Sequence, residues 1–166
     1  MKRSKKIRKI RKSPITKSLN KRSKFKQGYY ILKHPEKYRG DPNNVIYRSS
    51  WELRFNEFLD NNINVIEWAS EELWIPYLKP TDNKIHKYYP DYFVKFLDSN
   101  NKVHIEIIEV KPIKQTKPPK KTQNPNTALY EKLTYAVNMS KWSSATKWCS
   151  ERGIVFRILT ERELFL

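Results

Sequence analysis

The chain has 166 residues, a single cysteine and a net charge of +17, a size that suits one domain around one core. One cysteine excludes an internal disulfide and any cysteine metal cluster and suits a reducing compartment. No apolar run nears the roughly 20 residues of a membrane span and no apolar signal region opens the chain, so a protein neither membrane-bound nor secreted is expected. So large an excess of cations makes a polyanion the expected partner, nucleic acid ahead of an anionic membrane surface. Charge alone leaves an enzyme and a non-catalytic DNA- or RNA-coating protein on equal footing.

Met1 to Gln27 carries Lys2, Arg3, Lys5, Lys6, Arg8, Lys9, Arg11, Lys12 and further cations with no acid among them. A block that repels itself in this way is expected to form a disordered basic arm, suited to a phosphate backbone or, alternatively, to targeting or simple solvation. The folded domain is then expected over 28–166, opening with an extended lead-in from Gly28 to Tyr47. Ser49 to Asn61 predicts a helix: Trp51, Phe55, Phe58 and Leu59 recur at helical spacing, with Arg54, Glu57 and Asp60 opposite. Glu52 falls at the edge of the apolar stripe and can face a sheet beneath it. Taken alone, Ser49-x-x-Glu52 reads first as a capping box, with Glu52 accepting the Ser49 backbone N–H.

Asn64 to Trp68 and Leu73 to Leu78 read as one bent strand or a pair. Tyr88 to Leu97 predicts a strand, Asp98-Ser99-Asn100-Asn101 a polar hairpin turn, and Val103 to Lys111 the returning strand. On the latter, Val103, Ile105, Ile107, Glu109 and Lys111 share a face that begins apolar and ends charged. The hairpin brings Asp91, Glu109 and Lys111 together. The carboxylates of Asp91 and Glu109 are hard oxygen ligands of the kind Mg²⁺ prefers, with positions left for water and a phosphate oxygen. Lys111 suits stabilisation of developing charge or the handling of a proton, and Glu52 would add a third carboxylate. The plain alternative is a strand-surface ion pair worth under about 1 kcal/mol.

Pro112 ends the strand, and Ile113 to Asn126 is a polar loop whose Lys114, Lys117, Lys120 and Lys121 are candidate DNA contacts. Thr127 to Arg152 predicts a helix, with Asn138-Met139-Ser140 as a point of interruption, and Gly153 its stop. Ile154 to Leu159 predicts a final buried strand, and Glu161 to Leu166 a terminal turn. Trp142 and Trp148 read as core before they read as base-stacking groups, and Cys149 as a buried small hydrophobe. The fold class is therefore α/β, a mixed central sheet flanked by helices in the order αβββαβ.

The Pro90-Asp91 and Glu109-Val110-Lys111 motifs, in this element order, resemble the PD-(D/E)xK nuclease superfamily, whose core is restriction-endonuclease-like. Tyr47-Arg48-Ser49-Ser50-Trp51-Glu52, His86-x-Tyr88-x-Pro90-Asp91-Tyr92 and Glu109-Val110-Lys111-Pro112 are similar to the TnsA-type transposon endonucleases. They resemble still more closely the head-completion nucleases of T-even-like tailed phages, from about Gly28 to about Phe165 and including Lys141-Trp142 and Trp148-Cys149. The resemblance implies a Mg²⁺-dependent DNA endonuclease, Mn²⁺ being an alternative ion, that trims packaged phage DNA during head completion and head–tail joining. It implies Asp91, Glu109 and the Val110 backbone carbonyl as metal ligands, Glu52 as a direct or water-mediated one, and Lys111 as the catalytic lysine. Lys141 and His86 are candidate DNA contacts, and portal or neck proteins are expected partners in the virion or the host cytoplasm. The competing readings are a non-catalytic DNA-binding or connector protein of the virion and a transposon-end endonuclease.

Overall fold

The computed structural model describes residues 17–20 and 24–164. In chain order its elements are β1 (Gly28–Tyr29), β2 (Ile46–Tyr47), α1 (Ser50–Asn61), β3 (Val65–Ser70), β4 (Ile75–Lys79), β5 (Lys84–Tyr88), β6 (Tyr92–Leu97), β7 (Val103–Val110), α2 (Pro125–Ser150), β8 (Val155–Leu159) and α3 (Glu161–Leu164), with short 3-10 turns at Pro35–Lys37 and Ile113–Thr116. The central sheet has the order β3-β6-β7-β8; β6 runs antiparallel to both β3 and β7, and β8 joins β7 in parallel. The parallel pair needs a crossover, which α2 supplies. The arrangement is the mixed α/β sheet expected from the αβββαβ order, and it agrees with the restriction-endonuclease-like core that the resemblance implies.

Alternation along β7 divides the core between the sheet's two faces. Ile108 and Val110 join Phe55 and Leu59 of α1, with Trp68, Tyr92 and Val94, on one side; Ile107 joins Phe93, Ala69, Ile154 and Cys149 of α2 on the other. Cys149 is the buried, free thiol expected. Trp142 is buried in a third cluster with Ile75, Tyr77 and Tyr88, which is the core role expected for it. At the end of α2, Gly153 takes φ +67°, a conformation glycine adopts without steric penalty. The chain then reverses, and the Ile154 N–H reaches the Cys149 carbonyl at 2.9 Å, closing the helix in the manner of a Schellman turn.

Several local expectations are corrected. Tyr88–Leu97 is not one strand: it breaks at Tyr89-Pro90-Asp91, leaving Tyr88 on β5 and Tyr92 on β6. The β4–β5 hairpin lies outside the central sheet, and Ser140 on α2 donates its hydroxyl to the Leu78 carbonyl at 2.6 Å, fastening that hairpin. α2 starts at Pro125 under an Asn124 cap and passes through Asn138-Met139-Ser140 without interruption. Phe58 is more than half exposed, whereas Asp60, expected on the solvent side of α1, is fully buried. Its carboxylate accepts from the Tyr30 hydroxyl (3.0 Å) and the Lys33 (2.7 Å) and His34 (3.0 Å) backbone N–H groups, because the lead-in folds back over that side of the helix.

Residues 1–16 and 21–23 of the expected basic arm lie outside the described residues. At its root, Lys17 is buried rather than solvated. Its ammonium donates to the Ser70 carbonyl and to Glu72 Oε1, both at 2.6 Å. Ser18 offers its carbonyl to Arg48 Nη1 at 3.2 Å. Among the described residues no helix is long and apolar enough to cross a membrane.

Candidate active site

The site lies where β7 ends. Register pairs Tyr92 with Ile108, which sets Asp91, one step before β6, beside Glu109 on the neighbouring strand. Asp91 Oδ2 accepts the Val110 backbone N–H at 2.7 Å, an anchor supplied by the strand that carries Glu109. Glu109 is buried, at 4% exposure. Its Oε1 pairs with Lys111 Nζ at 2.9 Å, and its Oε2 accepts the Tyr88 hydroxyl at 2.7 Å. Lys111 itself is steadied where its backbone N–H bonds the Leu159 carbonyl at 2.9 Å.

Electrostatics follow from this crowding. Burial, and next the Glu109 charge, push the Asp91 carboxyl well above the ordinary range, against the pull of Lys111. Burial works to lower the Lys111 ammonium, but Asp91, Glu109 and Glu52 together outweigh it and hold the amine above an ordinary lysine. Lys111 is therefore a fixed cation in this arrangement, suited to stabilising negative charge rather than to accepting a proton. Glu52 is raised too, chiefly by burial, and it feels Lys111 across the site.

Glu52 is both cap and site neighbour. Its N–H donates to Ser49 Oγ at 3.2 Å, as a capping residue does, but its carboxylate accepts the Arg48 N–H at 2.8 Å rather than that of Ser49. Tyr92, next to Asp91, sends its hydroxyl to Asn56 Oδ1 at 2.7 Å and the Glu52 carbonyl at 3.2 Å, which pins α1 over the start of β6. Two groups without a role in the sequence reading complete this rim. Glu71 holds Arg48 in a fork, Nε–Oε1 2.8 Å and Nη2–Oε2 2.9 Å, while its own N–H donates to the Asp91 carbonyl at 3.0 Å. Glu71 takes φ +52° to do so. The Arg48-Ser49-Ser50-Trp51-Glu52 motif was the visible signal for Arg48; its partner 23 residues on had none.

Of the candidate DNA contacts, Lys141 reaches the site, its ammonium 5.5 Å above the Tyr88 ring and 5.7 Å above that of Tyr77. Burial lowers its pKa, with Glu109 opposing. Lys114, Lys117, Lys120 and Lys121 are exposed on the connection between β7 and α2. His86 lies on the outer β4–β5 hairpin, where Nε2 meets Asp82 Oδ2 at 2.8 Å. Among the described residues no three of His, Cys, Asp and Glu converge into a cage able to hold a metal alone. Glu52 thus does not complete one with Asp91 and Glu109. Two carboxylates with open positions still fit Mg²⁺, which keeps several waters. Burial drives Asp91 upward first and the Glu109 charge second, and that second cause is one a divalent cation would offset.

A buried glutamate beside a half-buried aspartate and a lysine, gathered where β7 ends in this mixed sheet, is the arrangement of a restriction-endonuclease-like nuclease. The family model for the TnsA-like endonuclease N-terminal domain matches residues 62–161. Over 139 residues the chain is 42% identical to the head completion nuclease of Enterobacteria phage T4, covering 81% of this chain and 90% of that protein. The chain belongs to the TnsA-like endonuclease family.

Proposed function

We propose that the protein is a Mg²⁺-dependent DNA endonuclease that hydrolyses phosphodiester bonds during phage head completion. The observation that carries this reading is the convergence of Asp91, Glu109 and Lys111, with Asp91 Oδ2 held by the Val110 N–H, Glu109 Oε2 by the Tyr88 hydroxyl and Glu109 Oε1 paired with Lys111. Asp91 and Glu109 would hold the ion, with the Val110 carbonyl as the third expected protein ligand; Mn²⁺ suits the same oxygens. When bound, the ion polarises the scissile phosphate and acidifies an attacking water. Lys111, kept charged by its neighbours, stabilises the negative charge that develops on the phosphorane. Glu52, whose carboxyl feels the Lys111 charge, would hold that water or take its proton.

The exposed Lys114, Lys117, Lys120 and Lys121, with Lys141 nearer the acids, supply phosphate contacts beside the site. The basic arm adds more, rooted at the rim through Lys17 and the Ser18–Arg48 contact. The relationship to a protein called head completion nuclease supports a role in phage head completion; action on packaged DNA in the infected cell or virion, alongside portal or neck proteins, is part of the proposal.

A nicking assay on supercoiled DNA tests the chemistry: nicking that requires Mg²⁺ in the wild type and disappears in Lys111→Ala is expected. Equal nicking by that variant, or nicking indifferent to a chelator, would sink the proposal. Asp91→Ala should also fail to complement head assembly; full rescue would instead favour a connector role.

A further inference from the structure

Glu109 has two oxygens and they are treated differently. Oε1 pairs with the Lys111 ammonium at 2.9 Å, whereas Oε2 takes the Tyr88 hydroxyl at 2.7 Å, from a residue 21 positions away on a hairpin outside the central sheet. Everything around Tyr88 restricts it. The residue is 3% exposed and its backbone pairs with Ile75. Its ring stands edge-on to Tyr77 at 6.4 Å, the Lys141 ammonium lies over its face at 5.5 Å, and Ser140 fastens the hairpin to α2. A phenol with two torsions, packed on both sides, orients its hydroxyl with little freedom to lose.

We propose that Tyr88 is a positioning residue for the candidate metal site, holding Glu109 Oε2 so that Oε1 alone faces the cation. The inference rests on the metal-dependent reading of Asp91 and Glu109 given above. It assigns a role to the tyrosine of the His86-x-Tyr88-x-Pro90-Asp91 motif, which the reaction itself leaves unused. One four-residue stretch then serves both acids: Asp91 supplies a carboxylate, and Tyr88, three residues earlier, orients the other. The arrangement is reciprocal, since Asp91 is anchored by the amide of Val110, next to Glu109. Hydrogen-bonded supports of this kind fix which oxygen of a ligand is presented, and their loss typically costs about 10–100-fold in metal affinity or activity.

The test is Mn²⁺ binding to the full chain, followed by calorimetry or by the electron paramagnetic resonance of the free ion, well below the melting temperature of each variant. Tyr88→Phe should weaken Mn²⁺ binding about 10-fold or more. In a Glu109→Gln background the same change should add nothing, because Tyr88 acts through that carboxylate. 4-Aminophenylalanine incorporated at position 88, which restores a donor at the same place, should recover the affinity even if the phenylalanine variant folds poorly. Tyr88→Phe binding within twofold of wild type, or 4-aminophenylalanine failing to rescue, would overturn the role of Tyr88 while leaving the nuclease reading intact. A wild type that binds no Mn²⁺ at all would overturn the metal site on which the inference stands.

Discussion

Two aspartates, Asp60 fully buried and Asp91 half-buried, separate what this fold needs from what its site needs. Asp60, at the end of α1, accepts three hydrogen bonds, from Tyr30, Lys33 and His34. Asp91 has one such bond to its carboxylate, from Val110, and faces Glu109 across the hairpin, so burial and a like charge drive its carboxyl upward. A buried carboxylate whose lone pairs are filled by the protein is structural. A half-buried one left short of partners and pressed against another acid is the kind of group a bound cation would relieve, which is the role proposed for Asp91. The sheet makes the second possible, because a strand end is where a side chain can be buried at its base and open at its tip.

The comparison is broken most sharply by exchanging the two losses. Asp91→Ala should reduce cleavage on the order of 10³-fold, the scale of removing a central charge-stabilising group, while the melting temperature holds or rises because a strained acid has gone. Asp60→Ala should do the reverse: about 2–4 kcal/mol of stability lost, as expected when buried hydrogen bonds to a charge are removed, with near-normal cleavage per folded molecule. Denaturant melts and nicking assays on the same preparations decide it. A folding defect in Asp91→Ala equal to that of Asp60→Ala would show that both acids are structural.

The next effect in size is the pH dependence of stability without metal. Asp91 and Glu52 are both raised in the folded state, so between the unfolded carboxylate range near about pH 4 and their folded values the native protein binds more protons than the unfolded chain. Their contribution is therefore fullest below that range and is lost as pH rises through the raised folded values. Melting temperatures in chelator from pH 4 to pH 8 should show wild type losing ground to Asp91→Asn as pH rises, and added Mg²⁺ should shrink the difference. Parallel curves for the two proteins would remove the strained-acid account.

How much of this was legible in the sequence follows the range of the interactions. The hairpin, its Asp98–Asn101 turn and the Asp91, Glu109, Lys111 set are written locally, in period-two alternation and in charges two residues apart. Glu52 was legible at the edge of a helical stripe, although the capping pattern competed with it. Asp60 misleads because a helical wheel sees one packing partner, and the lead-in that covers its other side is an irregular stretch with no periodic signal. The break between β5 and β6 had a visible marker in Pro90, which cannot donate to a ladder, yet Tyr88 and Tyr92 are strand formers on either side and mask it. Tyr88–Glu109 and Arg48–Glu71 join residues 21 and 23 apart, and no local pattern encodes such pairs.

The smallest effect belongs to the other end of the same hairpin. Asp98 Oδ2 meets His104 Nε2 at 2.7 Å, a shorter contact than the 2.9 Å between Glu109 and Lys111. His104, then two turn amides, hold the Asp98 carboxyl below its ordinary value, the opposite of what happens to Asp91. Distance alone would therefore rank the wrong pair first. At the exposed turn, water screens the charges and fills whatever lone pairs remain, so nothing is left over for a ligand. Asp98→Asn keeps an oxygen for the turn amides and removes only the charge, and it should leave nicking and melting within experimental error of wild type. A loss of cleavage in that variant would mean that charge on the hairpin matters irrespective of burial, and would remove the ground for singling out Asp91.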